Sequence, residues 1–314
     1  ILEAVSAPVV FQVHHAGLAA LEQGEEVLPQ STVEAVQHCG VALKGPCTTP
    51  VGEGFTSVNV QLRQHLNLFA AVRPVRNLAG VETRFDDVDL VIIRENTEGL
   101  YSGVENQVTP DVVMSMKVAT ETACDRIARW GFRFATLRQR KKITVFHKAN
   151  IMKITDGLFL RCARKVHQTE YPNIEYEEVI IDAGCMKLVQ DPSQFDVLLL
   201  ENLYGDVVSD LCAGLVGGLG VVPGANFGEE LAVFAAVHGS APDIAGKEIA
   251  NPMAALWSAA MMVEELGHPE AAQILLESIA DVTRSGRLTV DLGGTASTGE
   301  FGTAVRAAIK ARAS

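Results

Sequence analysis

The clearest indication of the fold class is the stretch Phe195-Asp196-Val197-Leu198-Leu199-Leu200, which leads through Glu201 into Asn202-Leu203-Tyr204-Gly205-Asp206-Val207-Val208-Ser209-Asp210. The apolar run predicts a buried strand. Gly205 predicts a turn after that strand, and Asp206 is a candidate N-cap for the helix that follows. A strand that turns into a helix is the building unit of α/β folds, so the stretch indicates that class.

Asp206 and Asp210 are four residues apart, which places both carboxylates on one face of the predicted helix. Like charges at this spacing destabilise a helix mildly unless something neutralises them. A divalent cation would do so, because Mg²⁺ and Mn²⁺ prefer carboxylate oxygens as ligands. The alternative is a helix cap followed by a solvated aspartate, and this segment alone leaves the two interpretations evenly balanced.

The composition is that of a chain with a substantial buried core. Of its 314 residues 48% are hydrophobic and 20% are charged, and the formal net charge is −12. This charge argues against nucleic acid or an anionic membrane as partner, so an anionic substrate needs locally placed cations. No run reaches the roughly 18 continuous apolar residues of a spanning helix. The six cysteines lack the paired spacing of a metal site and predict reduced core thiols of an intracellular protein.

Strand patterns alternate with helix patterns along the chain. Strands are expected at 9–13, 41–44, 69–75, 88–94, 141–148, 177–181, 195–200 and 232–234, and helices at 31–38, from 57 onward, and at 121–136, 155–168, 252–266, 269–283 and 299–311. The stretch 102–120 shows a weaker, partly alternating pattern, which predicts a two-stranded arm. This order predicts an α/β architecture with an open, partly parallel sheet.

Polar residues just after apolar strands are candidates for chemistry, because parallel α/β sheets place ligand-binding groups at strand ends. Tyr101 and Lys148 are candidates for proton transfer, and Asp182 for a third metal carboxylate. Each also fits a simpler interpretation: Tyr101 as a half-buried tyrosine, Lys148 as an exposed lysine and Asp182 as the N-cap of the next helix.

Three arginines are candidates for holding a carboxylate, because a guanidinium binds a carboxylate through two hydrogen bonds. They are Arg63, Arg73 and Arg94, each on or just after an apolar element. Taken singly, each fits a surface ion pair at least as well. Arg94 fits it least, because it ends a strand that is apolar enough to be buried on both faces.

Four motifs together resemble the β-decarboxylating dehydrogenases, the family of isocitrate and 3-isopropylmalate dehydrogenases. The resemblance covers about residues 9 to 312 and rests on Asn202-Leu203-Tyr204-Gly205-Asp206 with Asp210, Arg94-Glu95-Asn96-Thr97-Glu98-Gly99-x-Tyr101, His147-Lys148-Ala149-Asn150 and His238-Gly239-Ser240-Ala241-Pro242-Asp243-Ile244-Ala245-Gly246. The chain has no G-x-G-x-x-G segment and no P-loop, so a dinucleotide would be bound by another device.

The resemblance implies a non-Rossmann α/β fold with a large and a small domain. The large, cofactor-binding domain would comprise residues 1–68 and 218–314, and the small, dimerisation domain residues 69–217. An arm at about 99–120 would clasp a second copy of the chain, forming a homodimer with shared active sites.

The resemblance also implies roles for individual residues. The metal, Mg²⁺ or Mn²⁺, would be held by Asp206, Asp210 and the partner's Asp182. Lys148, also from the partner, would help to remove the hydroxyl proton, and Tyr101 would protonate C3 of the substrate. Substrate-binding residues would be Thr49, Ser57, Asn59, Arg63, Arg73 and Arg94, and cofactor-binding residues His238, Gly239, Asp243, Ile244 and Asn251.

Ser57 and Asn59 favour isocitrate over 3-isopropylmalate. Isocitrate dehydrogenases resemble this chain in having a hydroxyl and an amide here for the third carboxylate, whereas isopropylmalate enzymes are apolar. Polar donors would be left unpaired against an isopropyl group. The pair discriminates only weakly against homoisocitrate.

Asp243 and Ile244 favour NAD over NADP. In the family these positions face the adenosine ribose, where a carboxylate accepts from the 2′-hydroxyl and repels a 2′-phosphate. NADP-dependent relatives are basic and aromatic here, and they carry a larger valine where this chain has Ala250.

Several alternatives stay open. The chain could be a homoisocitrate or 3-isopropylmalate dehydrogenase, or a regulatory subunit of a hetero-oligomeric isocitrate dehydrogenase. The expected location is the cytoplasm, or the mitochondrial matrix in a eukaryote. The family's Gly-Asp-Gly first strand is absent, so we expect a segment before Ile1 to be missing from this sequence. Ala235 replaces a common glutamate, which removes a charge near the nicotinamide end of the cleft.

Overall fold

The computed structural model describes residues 1–48 and 57–313, and the chain divides into two compact units. The terminal unit comprises Ile1–Leu66, Asn77–Asp86 and Val216–Ser314, and the middle unit comprises Asn67–Arg76 and Asp87–Leu215. The contacts place residues 77–86 in the terminal unit, although the segment lies within the small domain expected from the sequence. Which unit binds a cofactor and which dimerises stays a prediction.

The elements alternate as the sequence predicts, which confirms the α/β class. The strands are β1 (Val41–Lys44), β2 (Ala70–Arg76), β3 (Asp89–Glu95), β4 (Glu105–Thr109), β5 (Val112–Ser115), β6 (Lys142–His147), β7 (Glu175–Ile180), β8 (Val197–Leu200), β9 (Ala225–Phe227) and β10 (Ala232–Ala235). The helices are α1 (Leu18–Leu21), α2 (Gln30–Cys39), α3 (Val58–His65), α4 (Glu121–Leu137), α5 (Thr155–Glu170), α6 (Ile181–Gln190), α7 (Asn202–Leu215), α8 (Met253–Glu265), α9 (Pro269–Arg284) and α10 (Thr298–Ala313).

In the middle unit the strands run in the order β2-β3-β8-β6-β7. Strand β2 is antiparallel to β3, and the other neighbours are parallel. The side chains of Val197–Leu200 are fully buried, as their unbroken apolar run predicts. Because β3, β6, β7 and β8 are parallel, their carboxyl ends lie along one edge of the sheet, and the residues that follow them share that edge.

In the terminal unit β1 pairs in parallel with β10, and β10 is antiparallel to β9. Helix α8 packs on β1 and β10, α9 packs on α8, and α10 packs on α9. None of the helices in the described ranges has both the length and the apolarity needed to cross a bilayer.

Residues 9–13 form no strand, so that prediction is wrong. The segment lies outside any helix or strand, and Val10 and Val13 are 93% and 80% exposed. Alternating apolar residues form a strand only where a sheet edge accepts their hydrogen bonds, and this segment pairs with none of the described strands. The cysteines are free thiols, and only Cys124, Cys162 and Cys212 are buried.

The arm expected at 102–120 is confirmed as a two-stranded ribbon. Strands β4 and β5 pair in antiparallel fashion, with a register shift between Gln107 and Thr109. Every residue of both strands is exposed, including Val108, Val113 and Met114. An isolated hairpin with apolar side chains on its surface is marginally stable, which is the property expected of an arm that another surface covers.

Candidate active site

Helix α7 begins at Asn202, directly after β8, so Gly205 and Asp206 lie inside the helix. The predicted turn at Gly205 and the predicted N-cap at Asp206 are therefore wrong. The spacing argument holds, because Asp206 and Asp210 both belong to α7 and are one turn apart.

Gly205 is a glycine because β3 lies against the helix at this point. A Cβ atom on Gly205 would lie 2.6 Å from both Cβ and Cγ of Arg94, closer than side-chain atoms can approach. The glycine thus lets the Arg94 side chain cross the start of α7. The role of Gly205 is to allow close packing of α7 on β3. The glycine that suggested a turn in the sequence is therefore explained by a contact between two elements that are distant in the chain.

Arg94 is the centre of the site, with 1% of its surface exposed. Its Nε and Nη2 atoms donate to Oδ1 of Asn202 at 3.0 and 2.7 Å, and its Nη1 donates to Oδ1 of Asp206. A buried guanidinium needs such partners, because an unpaired buried charge is very costly. The role of Asn202 was not predicted from the sequence; an amide directly after a buried strand was the available signal.

Arg73 joins the same group from β2. Its guanidinium donates to the Ser209 hydroxyl, and it lies 3.5 Å from Asp206 Oδ1 and 3.6 Å from Asp210 Oδ1. Burial, and next the neighbouring charge of Arg94, lower the pKa of Arg73 from its usual value. Ser209, also missed from sequence, lies in the same helix as both aspartates.

Tyr101 completes this cluster. Its hydroxyl donates to Oδ2 of Asp206, and the Arg94 guanidinium carbon lies 5.1 Å from the centre of its ring. Partial burial, and next the hydrogen bond to Asp206, raise the pKa of the phenol above its usual value. The phenol therefore keeps its proton at neutral pH, as a proton donor must before it acts.

Lys148 and Asp182 form a second group on the same unit. Lys148 Nζ donates to Asp182 Oδ1 at 2.6 Å, and the two side chains are 27% and 69% exposed. Asp182 lies in the first turn of α6 rather than at the end of a strand, because β7 stops at Ile180. The hydrogen bond to Lys148 lowers the pKa of the Asp182 carboxyl.

Asp206 and Asp210 fit a divalent cation. Their side chains are 35% and 59% exposed, so carboxylate oxygens with affinity for a hard cation face solvent. Mg²⁺ commonly takes one or two protein carboxylates and fills its remaining positions with water and substrate. Within residues 1–48 and 57–313, no three His, Cys, Asp or Glu side chains gather as a metal site, so Asp182 does not join this pair within one chain.

The remaining substrate candidates belong to the terminal unit, apart from Thr49, which lies outside the described residues. Ser57 is the N-cap residue of α3, although its hydroxyl makes no capping hydrogen bond. Asn59 and Arg63 are one turn apart on that helix. The Oδ1 atom of Asn59 is buried and has no hydrogen-bond partner among the described residues.

The cofactor candidates also lie in the terminal unit. Asp243 is exposed in a turn, Ile244 is half-buried, and the ring of His238 lies 3.0 Å from the Gly239 carbonyl oxygen. Asn251 differs from them, because its side chain is used within the chain. Its Oδ1 accepts from the Met253 N–H at the start of α8, and its Nδ2 donates to Asp291.

His147 makes stability depend on pH. Burial lowers the pKa of its imidazole, and Nδ1 accepts the Ala149 N–H at 3.1 Å, a role open only to the neutral ring. The unfolded chain therefore binds the proton more readily, and stability is lost as pH falls below about 6.5 through the folded pKa. We expect the free energy of unfolding in urea to fall less between pH 7 and pH 5 in His147→Asn than in the wild type.

The control for this prediction is His38→Asn, since His38 is exposed in the last turn of α2. This variant should retain the wild-type dependence on pH. An unchanged dependence in His147→Asn would contradict the prediction.

Comparison with known sequences gives a match over nearly the whole chain. The sequence model of the isocitrate/isopropylmalate dehydrogenase family matches residues 1–305. Catalytic subunit 5 of the mitochondrial NAD-dependent isocitrate dehydrogenase of Arabidopsis thaliana is 49% identical over 300 residues, 95% of this chain and 80% of that relative. A regulatory subunit of the mitochondrial NAD-dependent enzyme of Dictyostelium discoideum is 46% identical over 303 residues, 96% of this chain and 84% of that relative.

Comparison with solved structures gives the same result. The crystal structure of an isocitrate dehydrogenase from Methylococcus capsulatus matches this chain with a TM-score of 0.95 and 45% sequence identity. The match covers 98% of this chain and 93% of the chain in that structure. Likeness at this level confirms the fold expected from the four motifs.

Proposed function

This chain belongs to the isocitrate/isopropylmalate dehydrogenase family, and we propose that it is an NAD-dependent isocitrate dehydrogenase producing 2-oxoglutarate, CO₂ and NADH. The observation that carries the proposal is the convergence of Arg73, Arg94 and Tyr101 on Asp206. Two fixed cations, a proton donor and a carboxylate pair are the groups that oxidative decarboxylation of an anionic hydroxy acid needs.

The reaction balances in two stages. In the oxidation, the C2 hydroxyl loses its proton and the C2 hydride passes to the nicotinamide ring of NAD⁺. In the decarboxylation, the C3 carboxylate leaves as CO₂, its bonding electron pair forms an enolate, and C3 takes up a proton.

The residues of this chain divide the work. Arg73, Arg94 and Arg63 hold the substrate carboxylates, and the burial of the first two fixes their orientation before substrate arrives. Lys148 helps to remove the C2 hydroxyl proton, and Tyr101 delivers the proton to C3. Asp206, Asp210 and the partner's Asp182 would hold a Mg²⁺ or Mn²⁺ ion, which would supply Lewis-acid polarisation of the substrate.

Ser57 and Asn59 support isocitrate as the substrate. Both residues belong to the start of α3, where the Ser57 hydroxyl makes no capping hydrogen bond, and a hydroxyl and an amide NH₂ can each donate to a carboxylate. A donor beside a hydroxyl suits the third carboxylate of isocitrate and opposes the isopropyl group of 3-isopropylmalate. Homoisocitrate carries the same carboxylate on a longer arm and is the nearer alternative.

Asp243 and Ile244 support NAD as the cofactor, together with the small Ala250. Asp243 is exposed, so its carboxylate is available to accept from a ribose 2′-hydroxyl and to repel a 2′-phosphate. Such a loop offers no basic side chain for the phosphate of NADP at these two positions. His238, Gly239 and the backbone near Asn251 would complete the cofactor site.

A regulatory role is the alternative in a different class, and one of the similar sequences carries that name. Against it stands the complete set of residues that the chemistry needs: Tyr101, Lys148, Asp182, Asp206 and Asp210. Because all five are present, we favour the catalytic role.

We propose a homodimer in which each active site takes Lys148 and Asp182 from the partner. Exposed apolar side chains near both clusters support an interface there: Ile151, Ile154, Met186 and Val207 are 69%, 83%, 54% and 59% exposed. Clustered exposed apolar residues of this kind mark contact surfaces. The exposed arm of β4 and β5 would clasp the partner.

The purified chain should form NADH from isocitrate, NAD⁺ and Mg²⁺. We expect kcat/KM at least about 10-fold higher with isocitrate than with 3-isopropylmalate, and higher with NAD⁺ than with NADP⁺. Steady-state assays that follow the absorbance of the reduced cofactor, with each combination of substrate and cofactor, measure these values of kcat/KM. No NADH formation from isocitrate by the purified protein would contradict the catalytic proposal, and equal or better use of NADP⁺ would contradict the cofactor assignment.

Mixing two inactive variants should restore activity if the sites are shared. Asp206→Asn and Lys148→Met lie in different halves of one site, so a mixed dimer contains one site with both changes and one with neither. Unfolding and refolding the two variants together should recover about a quarter of wild-type activity.

The matched control for this mixing mutates the same half of the site in both chains. Asp206→Asn mixed with Asp210→Asn leaves a defect in every site and should recover nothing. Equal recovery in both mixtures, or in neither, would contradict the shared site.

A further inference from the structure

Asp156 is a buried carboxylate beside the Lys148 group, and its role was not predicted from the sequence. It lies in the first turn of α5 with 2% of its surface exposed. Its two oxygens have different partners: Oδ2 accepts the backbone N–H of Lys148 at 2.7 Å, and Oδ1 accepts Nζ of Lys117 at 2.6 Å. The side chain therefore links the residue after β6 to a second cation, Lys117, whose side chain is 12% exposed.

The same carboxylate is linked to the start of α7. The Tyr204 hydroxyl also hydrogen-bonds to Asp156. Lys117 lies 3.3 Å from Glu201 Oε1, and its ammonium is 4.6 Å from the centre of the Tyr204 ring. Glu201 and Tyr204 lie shortly before Asp206 in the chain. Asp156 therefore links the Lys148 group to the start of α7, the helix that carries Asp206 and Asp210.

The segment that follows β6 and carries Lys148 lies at the surface of the protein. No residue between Phe146 and Asp156 is buried, and Ile151 and Ile154 are 69% and 83% exposed. Its internal hydrogen bonds are local, such as those from the Ile151 and Met152 N–H groups to the Lys148 carbonyl. His147 is the last residue of β6 paired in the sheet, opposite Ile180, so beyond the strand end the bond to Asp156 is the contact with a buried side chain that holds the Lys148 backbone.

We propose that Asp156 is a positioning residue for Lys148, fixing its backbone so that the ammonium is aimed at the substrate hydroxyl. The inference rests on the proposed function, in which Lys148 helps to remove that proton. Asp156 acts through Lys148 in the oxidation step, in which proton removal is coupled to hydride transfer, and leaves the binding of substrate carboxylates to the arginines.

An amide cannot replace this carboxylate. Asp156 offers one oxygen to the Lys148 N–H and the other to the Lys117 ammonium, with the Tyr204 hydroxyl as a further donor, whereas asparagine offers one oxygen and one NH₂ group. In Asp156→Asn one of these donors must therefore face another donor. Either the Lys148 backbone or the Lys117 ammonium moves.

The test compares Asp156→Asn with a matched control, Asp196→Asn. Asp196 lies beside the other end of β6, where it accepts the backbone N–H groups of Lys141 and Lys142 and binds Arg140. Both variants lose an ion pair and an acceptor beside β6, and both should unfold at lower temperature than the wild type. Only Asp156→Asn should change the chemistry.

We expect kcat of Asp156→Asn with isocitrate, NAD⁺ and Mg²⁺ to fall by about 10- to 100-fold, with the KM for isocitrate within about 3-fold of wild type. The isotope effect with C2-deuterated isocitrate should increase, because the chemical step then limits the rate more fully. In a Lys148→Met background, adding Asp156→Asn should change the residual kcat by less than about 2-fold.

If Asp156→Asn does not fold, Asp156→Glu takes its place, since it keeps both acceptors but displaces them by one methylene; the same fall in kcat and rise in isotope effect are expected. A wild-type kcat and isotope effect in a folded Asp156 variant, or an equal change in Asp196→Asn, would overturn the inference and leave the proposed function intact. A wild-type protein without activity on isocitrate would overturn the proposed function, and this inference with it.

Discussion

Asp206→Asn should lower kcat/KM for Mg²⁺-dependent oxidation of isocitrate by about 1,000-fold. Asp206 receives hydrogen bonds from Arg94, Arg73 and Tyr101, so its charge balances two guanidinium groups in addition to its role in the proposed metal site. An amide keeps the shape of the side chain and loses that charge. Steady-state kinetics at several Mg²⁺ concentrations measure the loss and show whether more metal recovers any activity.

The matched control for Asp206→Asn is Asp281→Asn. Asp281 is also a helical aspartate that pairs with two arginines, Arg284 and Arg312, and its side chain is 37% exposed compared with 35% for Asp206. It has no place in the proposed site, so kcat/KM should stay at the wild-type value. An Asp206→Asn enzyme with a wild-type rate that does not depend on Mg²⁺ would contradict the metal assignment.

Gly205→Ala should destabilise the protein by about 1 to 3 kcal/mol. The added Cβ would lie 2.6 Å from Cβ and Cγ of Arg94, so either α7 or β3 must move. Alanine favours helix over glycine by up to about 1 kcal/mol, and the overlap outweighs this gain because Arg94 is buried and cannot turn aside. Urea unfolding measures the change in stability, and a raised KM for isocitrate should accompany it as Arg94 is displaced.

Gly214→Ala is the control, because Gly214 belongs to the same helix and its added Cβ would meet nothing within 4 Å. Here only helix propensity acts, so the variant should be stabilised by up to about 1 kcal/mol. Equal effects of the two substitutions would show that the contact with Arg94 is not the reason for the glycine at 205.

Local periodicity predicted most of the elements correctly. The run Val197–Leu200 is a buried strand, and the alternation of strands and helices indicated the α/β class. The prediction failed at residues 9–13, where the pattern was right for a strand but no described strand accepts its hydrogen bonds. Periodicity describes which face of a segment is apolar, and it contains no information on whether a pairing edge exists.

Most residues of the candidate site were also predicted from the sequence, but some of their partners were not. The motifs predicted the residue types, and the structure brings Arg73, Arg94, Tyr101, Asp206 and Asp210 together in one cluster. The roles assigned to them stay predictions until the variants are assayed. Asn202, Ser209 and Asp156 were missed, because a single polar residue in an apolar context does not reveal which distant donor it meets.

Most of the element order, the family and the chemical identity of the candidate groups could be predicted without coordinates, because these depend on residue type and on spacing within a few turns. The position of Gly205 within a helix against Arg94, and the bonds from Asp156 to the Lys148 backbone and the Lys117 ammonium, arise only from tertiary contacts. The physical reason is that a glycine or a carboxylate has many uses locally. Only the close packing of segments distant in the chain selects one of them, through the volume a Cβ would need or the donors a buried oxygen must accept.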